Sequence, residues 1–232
     1  MLHQEDLDEL WDFGDPAGSE TRLRAASAKA PDGIARAELL TQVARALGLQ
    51  NRFEDATALL DELDVEQAML DDSLDDQDHH ERAAGRGVVA VCIALERGRV
   101  LNSSGEVGSA AEAGSAVWHF HRALDRARGI GADFLAIDAL HMLAVADASH
   151  GASWAAQGLR LADAHPDPRT RRWAVALHTN RGWDLLEGGE AVAALAEFEA
   201  ALTAAEAVGT TEQQGLAREN LAECRAALNA ED

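Results

Sequence analysis

The chain has no tyrosine, one lysine (Lys29), four prolines and two cysteines, and aromatic residues make up only 4% of its 232 positions. Each shortage excludes something. Strands draw on aromatic and β-branched side chains, so a chain poor in rings and rich in alanine is expected to be all-α, with helices packed through small contacts. Cys92 and Cys224 lie in apolar helical patterns far apart in sequence, which suits reduced, buried thiols and a cytoplasmic protein, not a disulfide framework. No stretch approaches the ~18 uninterrupted apolar residues of a membrane span. The opening "MLHQEDLDELWDF" lacks the basic start and apolar run of a signal peptide. Against 20 basic residues stand 41 acidic ones, a net charge of −21. Such a field repels phosphate backbones and anionic lipid, so nucleic acid and membrane are not expected partners.

What is present is ample for a core: 47% of the residues are hydrophobic. The prolines, at positions 16, 31, 166 and 168, all fit helix starts or inter-helix turns. Asp15 before Pro16, and Asp32, read as N-caps. Gly209 reads as a left-handed helix end, and Thr211 with Gln214 as a capping box for the helix after it. Between breakers the apolar residues follow a helical period, as in Leu40, Val43, Ala44 and Leu47. The breakers predict helices of roughly 12–18 residues, about eleven in all, arranged as antiparallel pairs.

A longer pattern underlies these helices. A signal of a small residue, a large one at +4 and a small one at +7 occurs as Ser19/Leu23/Ala26, Ala116/Phe120/Ala123, Ala155/Leu159/Ala162 and Ala194/Phe198/Ala201, and Ala56, Leu60 and Leu63 align with the last of these. The leading positions are spaced by 37, 60, 39 and 39 residues. Near-regular spacing in this range is the mark of stacked helical hairpins, none of which can bury its own face.

In "LHTNRGWDLLEGGEAVAALAEFEAAL" and "LLTQVARALGLQNRFEDATALLDEL" these residues resemble the tetratricopeptide (TPR) family. By that resemblance Gly182 and Ala44 take the close-contact position of helix A, Gly189 and Asn51 the turn, and Ala194, Phe198 and Ala201, or Phe53 and Ala56, the helix B signature. "LERGRVLNSSG" looks like a third helix A with Gly98 and a turn at Gly105, its helix B signal near Phe120 arriving about six residues late. The chain is also similar to uncharacterised stand-alone bacterial TPR proteins. The implied fold is a right-handed α-α superhelix of about five hairpins over residues 1–232, closed by a capping helix at 211–229. The period is longer than the family's usual one.

The resemblance further implies a concave groove lined by the A helices. Its positions here are Glu38, Thr41, Gln42 and Arg45; Arg99 and Asn102; Asp138 and His141; Ala176, Thr179, Asn180, Trp183 and Leu186; and Asn220 with Glu223. Amides can hydrogen-bond an extended peptide, arginines can pair with carboxylates, and Trp183 could hold an apolar side chain. The lysines of the family's dicarboxylate clamp are missing, although Asn180 occupies one matching position.

Other chemistry reads as structural. The acidic run 61–81 carries ten carboxylates without the glycine and ligand spacing of a calcium loop, and reads as a solvated helix end and loop. His119 and His121 sit at i and i+2, and His79 and His80 are neighbours, so neither pair shares a helical face for a metal. No metal or other cofactor is expected. Cys92 has no feature that would lower its pKa. The expected function is a non-enzymatic adaptor for an unidentified protein or peptide. The alternatives are a peptide-sensing regulatory module and, less favoured, an enzyme on a helical scaffold using groups such as Asp138 and His141. Composition sets no oligomeric state.

Overall fold

The structure, a computed structural model, describes residues 4–71 and 79–231. Among these residues the elements are helical, with no strand: α1 (Gln4–Leu10), α2 (Pro16–Ser27), α3 (Gly33–Leu49), α4 (Phe53–Asp71), α5 (His79–Ser104), α6 (Ala116–Gly129), α7 (Asp133–Ala146), α8 (Gly151–Ala164), the single turn α9 (Pro168–Arg171), α10 (Trp173–Glu187), α11 (Ala191–Val208) and α12 (Thr211–Glu231). Of the acidic run 61–81, residues 72–78 lie outside the described residues, as do the side chains of His79 and His80.

Local chemistry sets several of the helix starts. Asp15 accepts from the Gly18 amide ahead of Pro16, Asp32 from the Ala35 amide, and Asp167 from the Arg169 and Thr170 amides ahead of Pro168. Two expectations about the last junction need correction. Gly209 is extended, with φ −77° and ψ 164°, not left-handed. The capping box lies one residue earlier than expected: the Gln213 amide donates to Thr210 Oγ1 at 3.2 Å, and the Thr210 amide donates to Gln213 Oε1 at 3.0 Å. The extended glycine feeds straight into the Thr210 cap, so no left-handed residue is required.

Where a left-handed residue does end a helix, Asn51 (φ 60°) and Gly189 (φ 77°) hold the equivalent turns before α4 and α11. Asparagine tolerates this region better than other side chains, and glycine has no Cβ to clash.

The chain forms two compact units, Met1–Leu135 and Ala136–Asp232. In the first, each helix from α2 to α6 packs on the next, and α3 also packs beside α5. Its core gathers Leu23, Leu39, Val43, Leu47, Leu60, Leu63, Val89 and Ile93. In the second, α10 packs on α8, α11 and α12, and α11 packs on α12. Ile137, Leu159 and Leu177 form one cluster there, and Phe198, Leu221 and Cys224 another.

The five small residues that lead the spaced pattern are all buried, each on its own helix: Ser19 on α2, Ala56 on α4, Ala116 on α6, Ala155 on α8 and Ala194 on α11. The large residues that follow them, Leu23, Leu60, Phe120, Leu159 and Phe198, are buried too. The enlarged spacing before Ala116 has two sources. At 26 residues, α5 outruns the expected helix length. A loop from Gly105 to Ser115 then precedes α6, closed by hydrogen bonds from the Ala116 amide to the Glu106 carbonyl and from the Val117 amide to the Val107 carbonyl. Ser115 ties this loop to the helix, donating to the Ser109 carbonyl at 2.7 Å and accepting from the Trp118 amide at 3.2 Å.

The same close approach occurs once in each unit. On α5, Gly98 leaves the space that the Phe120 ring fills, and on α10, Gly182 does so for Phe198. A Cβ at either position would collide with the ring, so glycine here serves packing.

Candidate functional site

Helical spacing places Glu38, Thr41, Gln42 and Arg45 on one stripe of α3. Glu38 is 2% exposed and Thr41 fully buried, its hydroxyl donating to the Glu38 carbonyl at 2.7 Å. Thr41 therefore offers no surface to a ligand, contrary to the sequence expectation. The lower part of the stripe is covered by the chain's own N-terminal segment. Trp11 Nε1 donates to Gln42 Oε1 at 3.1 Å. The Trp11 and Phe13 rings stack 5.0 Å apart, with the Arg45 guanidinium 5.8 Å and 5.4 Å from their centroids. This is cation–π geometry, so the two aromatic rings engage Arg45.

On α5, beside α3, Arg99 pairs with Glu96 one turn before it, and Glu96 is 2% exposed. Asn102 lies one turn further along, half-buried.

In the second unit two of the expected residues meet. Asn180 Nδ2 on α10 lies 2.9 Å from His141 Nε2 on α7. An amide nitrogen can only donate, so Nε2 is the acceptor in this contact. Trp173, at the start of α10, places its ring 5.4 Å from that of His141. Asp138, one turn before His141, is 4% exposed. Thr179 stands half-buried beside Asn180, and Asn220 half-buried on α12, which packs on α10. Trp183 is half-buried: its ring meets Phe198 edge-on at 5.2 Å, and it packs against the cluster of Ala194, Phe198, Leu221 and Cys224.

A polar contact joins α10 to α11 beside the packing of the two helices. His178 Nδ1 and Arg181, one turn apart on α10, reach the two oxygens of Glu197 on α11 at 2.7 Å and 2.9 Å. This contact and the Phe198 contact position Thr179 and Asn180.

Three participants were not recognised in the sequence: Trp11, Phe13 and Trp173. Trp173 precedes Asn180 by two helical turns, and that spacing could have found it. Nothing local connects Trp11 with Gln42, which lies 31 residues away.

Other features fall outside these faces. Surface hollows of about 430 and 420 Å³ lie between α4 and the end of α5, lined by Phe53 and Leu101 among others, and beside α9 to α11, lined by Arg171 and His178 among others. Among the described residues no cluster of three or more His, Cys, Asp or Glu is placed to hold a metal ion. Cys92 and Cys224 are buried and not joined in a disulfide, and burial pushes the Cys224 thiol above its ordinary range. Among the described residues no helix is long and apolar enough to cross a membrane.

Compared with protein-family models, curated proteins and solved structures, the chain matches none.

Proposed function

We propose that this chain is a non-enzymatic helical-repeat adaptor of tetratricopeptide type. In this reading α3, α5, α7, α10 and α12 are the A helices of a solenoid, and their polar stripes bind a peptide segment of a partner protein. The observation that carries the proposal is the segment already lying on one stripe: Trp11 and Phe13 rest on Gln42 and Arg45 of α3. An amide and a guanidinium holding aromatic side chains is a mode by which helical faces recognise peptides.

The packing supports the scaffold half of the reading. The glycine-to-phenylalanine contacts at Gly98 and Gly182 serve the same role in each unit. His141 and Asn180 meet across 39 residues, the interval that separates Ala155 from Ala194. The two buried thiols, not joined in a disulfide, suit a reducing compartment such as the cytoplasm.

The test is selection of binding peptides from a random library with the full chain. They are then measured against Thr179→Ala with Asn180→Ala and against Gln42→Ala with Arg45→Ala. Loss of affinity in one of these pairs, with an unchanged thermal melt, supports the reading; retained affinity in both contradicts it.

A further inference from the structure

Many arginines of this chain are engaged within the fold: Arg36 by Glu66, Arg97 by Asp61 and Asp64, Arg181 by Glu197, Arg122 by the Trp118 ring and Arg172 by the Val208 carbonyl. Such pairing is expected where 41 acidic residues stand against 20 basic ones. Arg171 departs from it. Among the described residues it has no carboxylate partner, and Asp163 has no cationic one. Both nevertheless line the same hollow, the one of about 420 Å³ beside α9 to α11 in the second unit.

This hollow has a charged end and an apolar length. Ala162 near the end of α8 and Ala174 in the first turn of α10 are buried in one cluster, which sets their neighbours Asp163 and Arg171 at the same end. Arg172 Nε donates to the Val208 carbonyl at 2.8 Å, so the last turn of α11 lies there too. From that end Ala174, Ala200, Ala204 and Ala207 supply the walls. Thr203 also lines the hollow, but its hydroxyl turns back onto its own helix, donating to the Glu199 carbonyl at 2.9 Å. His178 stands seven residues on from Arg171, about 10 Å along the helix axis, and its Nδ1 is held by Glu197. The volume falls within the range of about 300–1,000 Å³ for small-molecule sites, and apolar walls with a few polar groups are their usual lining.

We propose that this hollow binds a free α-amino acid with a long apolar side chain. Arg171 receives the carboxylate, Asp163 the ammonium group, and the alanine walls with Val208 the side chain. An α-amino acid carries both charges on one carbon, which matches two opposite protein charges that share one end of a hollow without pairing with each other. Simpler ligands are disfavoured by the same pair, because a plain carboxylate meets Asp163 and a plain amine meets Arg171. The small wall residues leave the length from Arg171 to His178 open to an apolar side chain. None of these residues belongs to the polar stripes of the A helices, so the inference stands apart from the adaptor reading. A ligand seated among α8, α9, α10 and α11 binds the folded state and therefore raises its stability.

The experiment is isothermal titration calorimetry of the full chain at neutral pH with L-phenylalanine. Beside it are titrated 3-phenylpropanoate, which lacks the ammonium group, 2-phenylethylamine, which lacks the carboxylate, and glycine, which lacks the side chain. The wild type is expected to bind L-phenylalanine saturably and each of the other three at least five-fold more weakly. Arg171→Gln and Asp163→Asn, both at exposed positions, are each expected to lose at least five-fold in affinity for L-phenylalanine with an unchanged thermal melt of the free protein. Asp163→Asn is expected to bind 3-phenylpropanoate at least as tightly as the wild type does. The inference is overturned by the absence of saturable L-phenylalanine binding up to about 10 mM, or by binding that neither substitution weakens. Equal affinity for 3-phenylpropanoate and L-phenylalanine in the wild type overturns it too, since the occupant is then a simple carboxylate. Thr179→Ala with Asn180→Ala should leave the titration unchanged, so failure here and failure of the adaptor reading are distinguishable.

Discussion

Gly182 faces the ring of Phe198 so closely that a Cβ at position 182 would lie 2.7 Å from Cε1 of that ring. A phenyl ring enclosed in a core cannot swing away as a flexible side-chain tip would. Gly182→Ala is therefore expected to cost about 1–3 kcal/mol by overpacking. Phe198→Ala, which empties a fully buried site, should cost about 3–5 kcal/mol. Urea denaturation of the two single variants and of Gly182→Ala with Phe198→Leu checks the relationship. The smaller partner should recover part of the glycine penalty, and strict additivity would show that the two residues do not compete for space.

The two left-handed turns should respond differently to the same change. Gly189→Ala puts a Cβ where φ is 77°, and the strain should cost about 1–2 kcal/mol. Asn51→Gly, at φ 60°, should lie within about 0.5 kcal/mol of wild type, because it exchanges one tolerated turn residue for another. Denaturation midpoints at constant m-value decide both.

Thr210 and Gln213 satisfy each other's backbone amides at the start of α12. Thr210→Ala should destabilise by about 1 kcal/mol, whereas Thr211→Ala, one residue inside the helix, should have a smaller effect. The reverse order would place the cap where the sequence pattern alone suggested it.

His119 carries a pH signature. Burial, together with Arg97, Arg122 and Arg126 nearby, pushes its pKa down from 6.5 to about 4, with Asp64 opposing. The folded protein therefore keeps this ring neutral where the unfolded chain takes up a proton. Stability contributed above pH 6.5 should be lost as the pH falls from there toward 4. The urea midpoint of the wild type should drop further between pH 7 and pH 5 than that of His119→Gln. Equal drops would show that the site does not depress the histidine.

The helices and their boundaries were legible where local chemistry decides them. Asp15, Asp32 and the proline starts act within one turn, and Asn51 and Gly189, equivalent in the sequence alignment of the two hairpins, share a positive φ. Gly209 misled because the glycine reads as a left-handed helix end, while here it is extended and the neighbouring threonine cap sets the junction. The groove was less legible for a different reason. Periodicity says that Arg45 and Trp183 share a stripe with polar neighbours, but not what covers that stripe. Arg45 is met by Trp11 and Phe13 from more than 30 residues away, and Trp183 leans onto Phe198. Thr41 turned inward onto its own helix, a bond that threonine makes readily and that spacing cannot distinguish from exposure. His141 and Asn180 were each singled out, but their pairing needed two helices to be set side by side.

The most direct test of the adaptor reading is site-specific photo-crosslinking in the cells that make this protein. A benzophenone side chain placed at Thr179, on the proposed binding stripe, is compared with one at Val192, which is 77% exposed on α11. The account predicts a discrete partner adduct from position 179 and none from position 192. Adducts from 192 with none from 179 would contradict it.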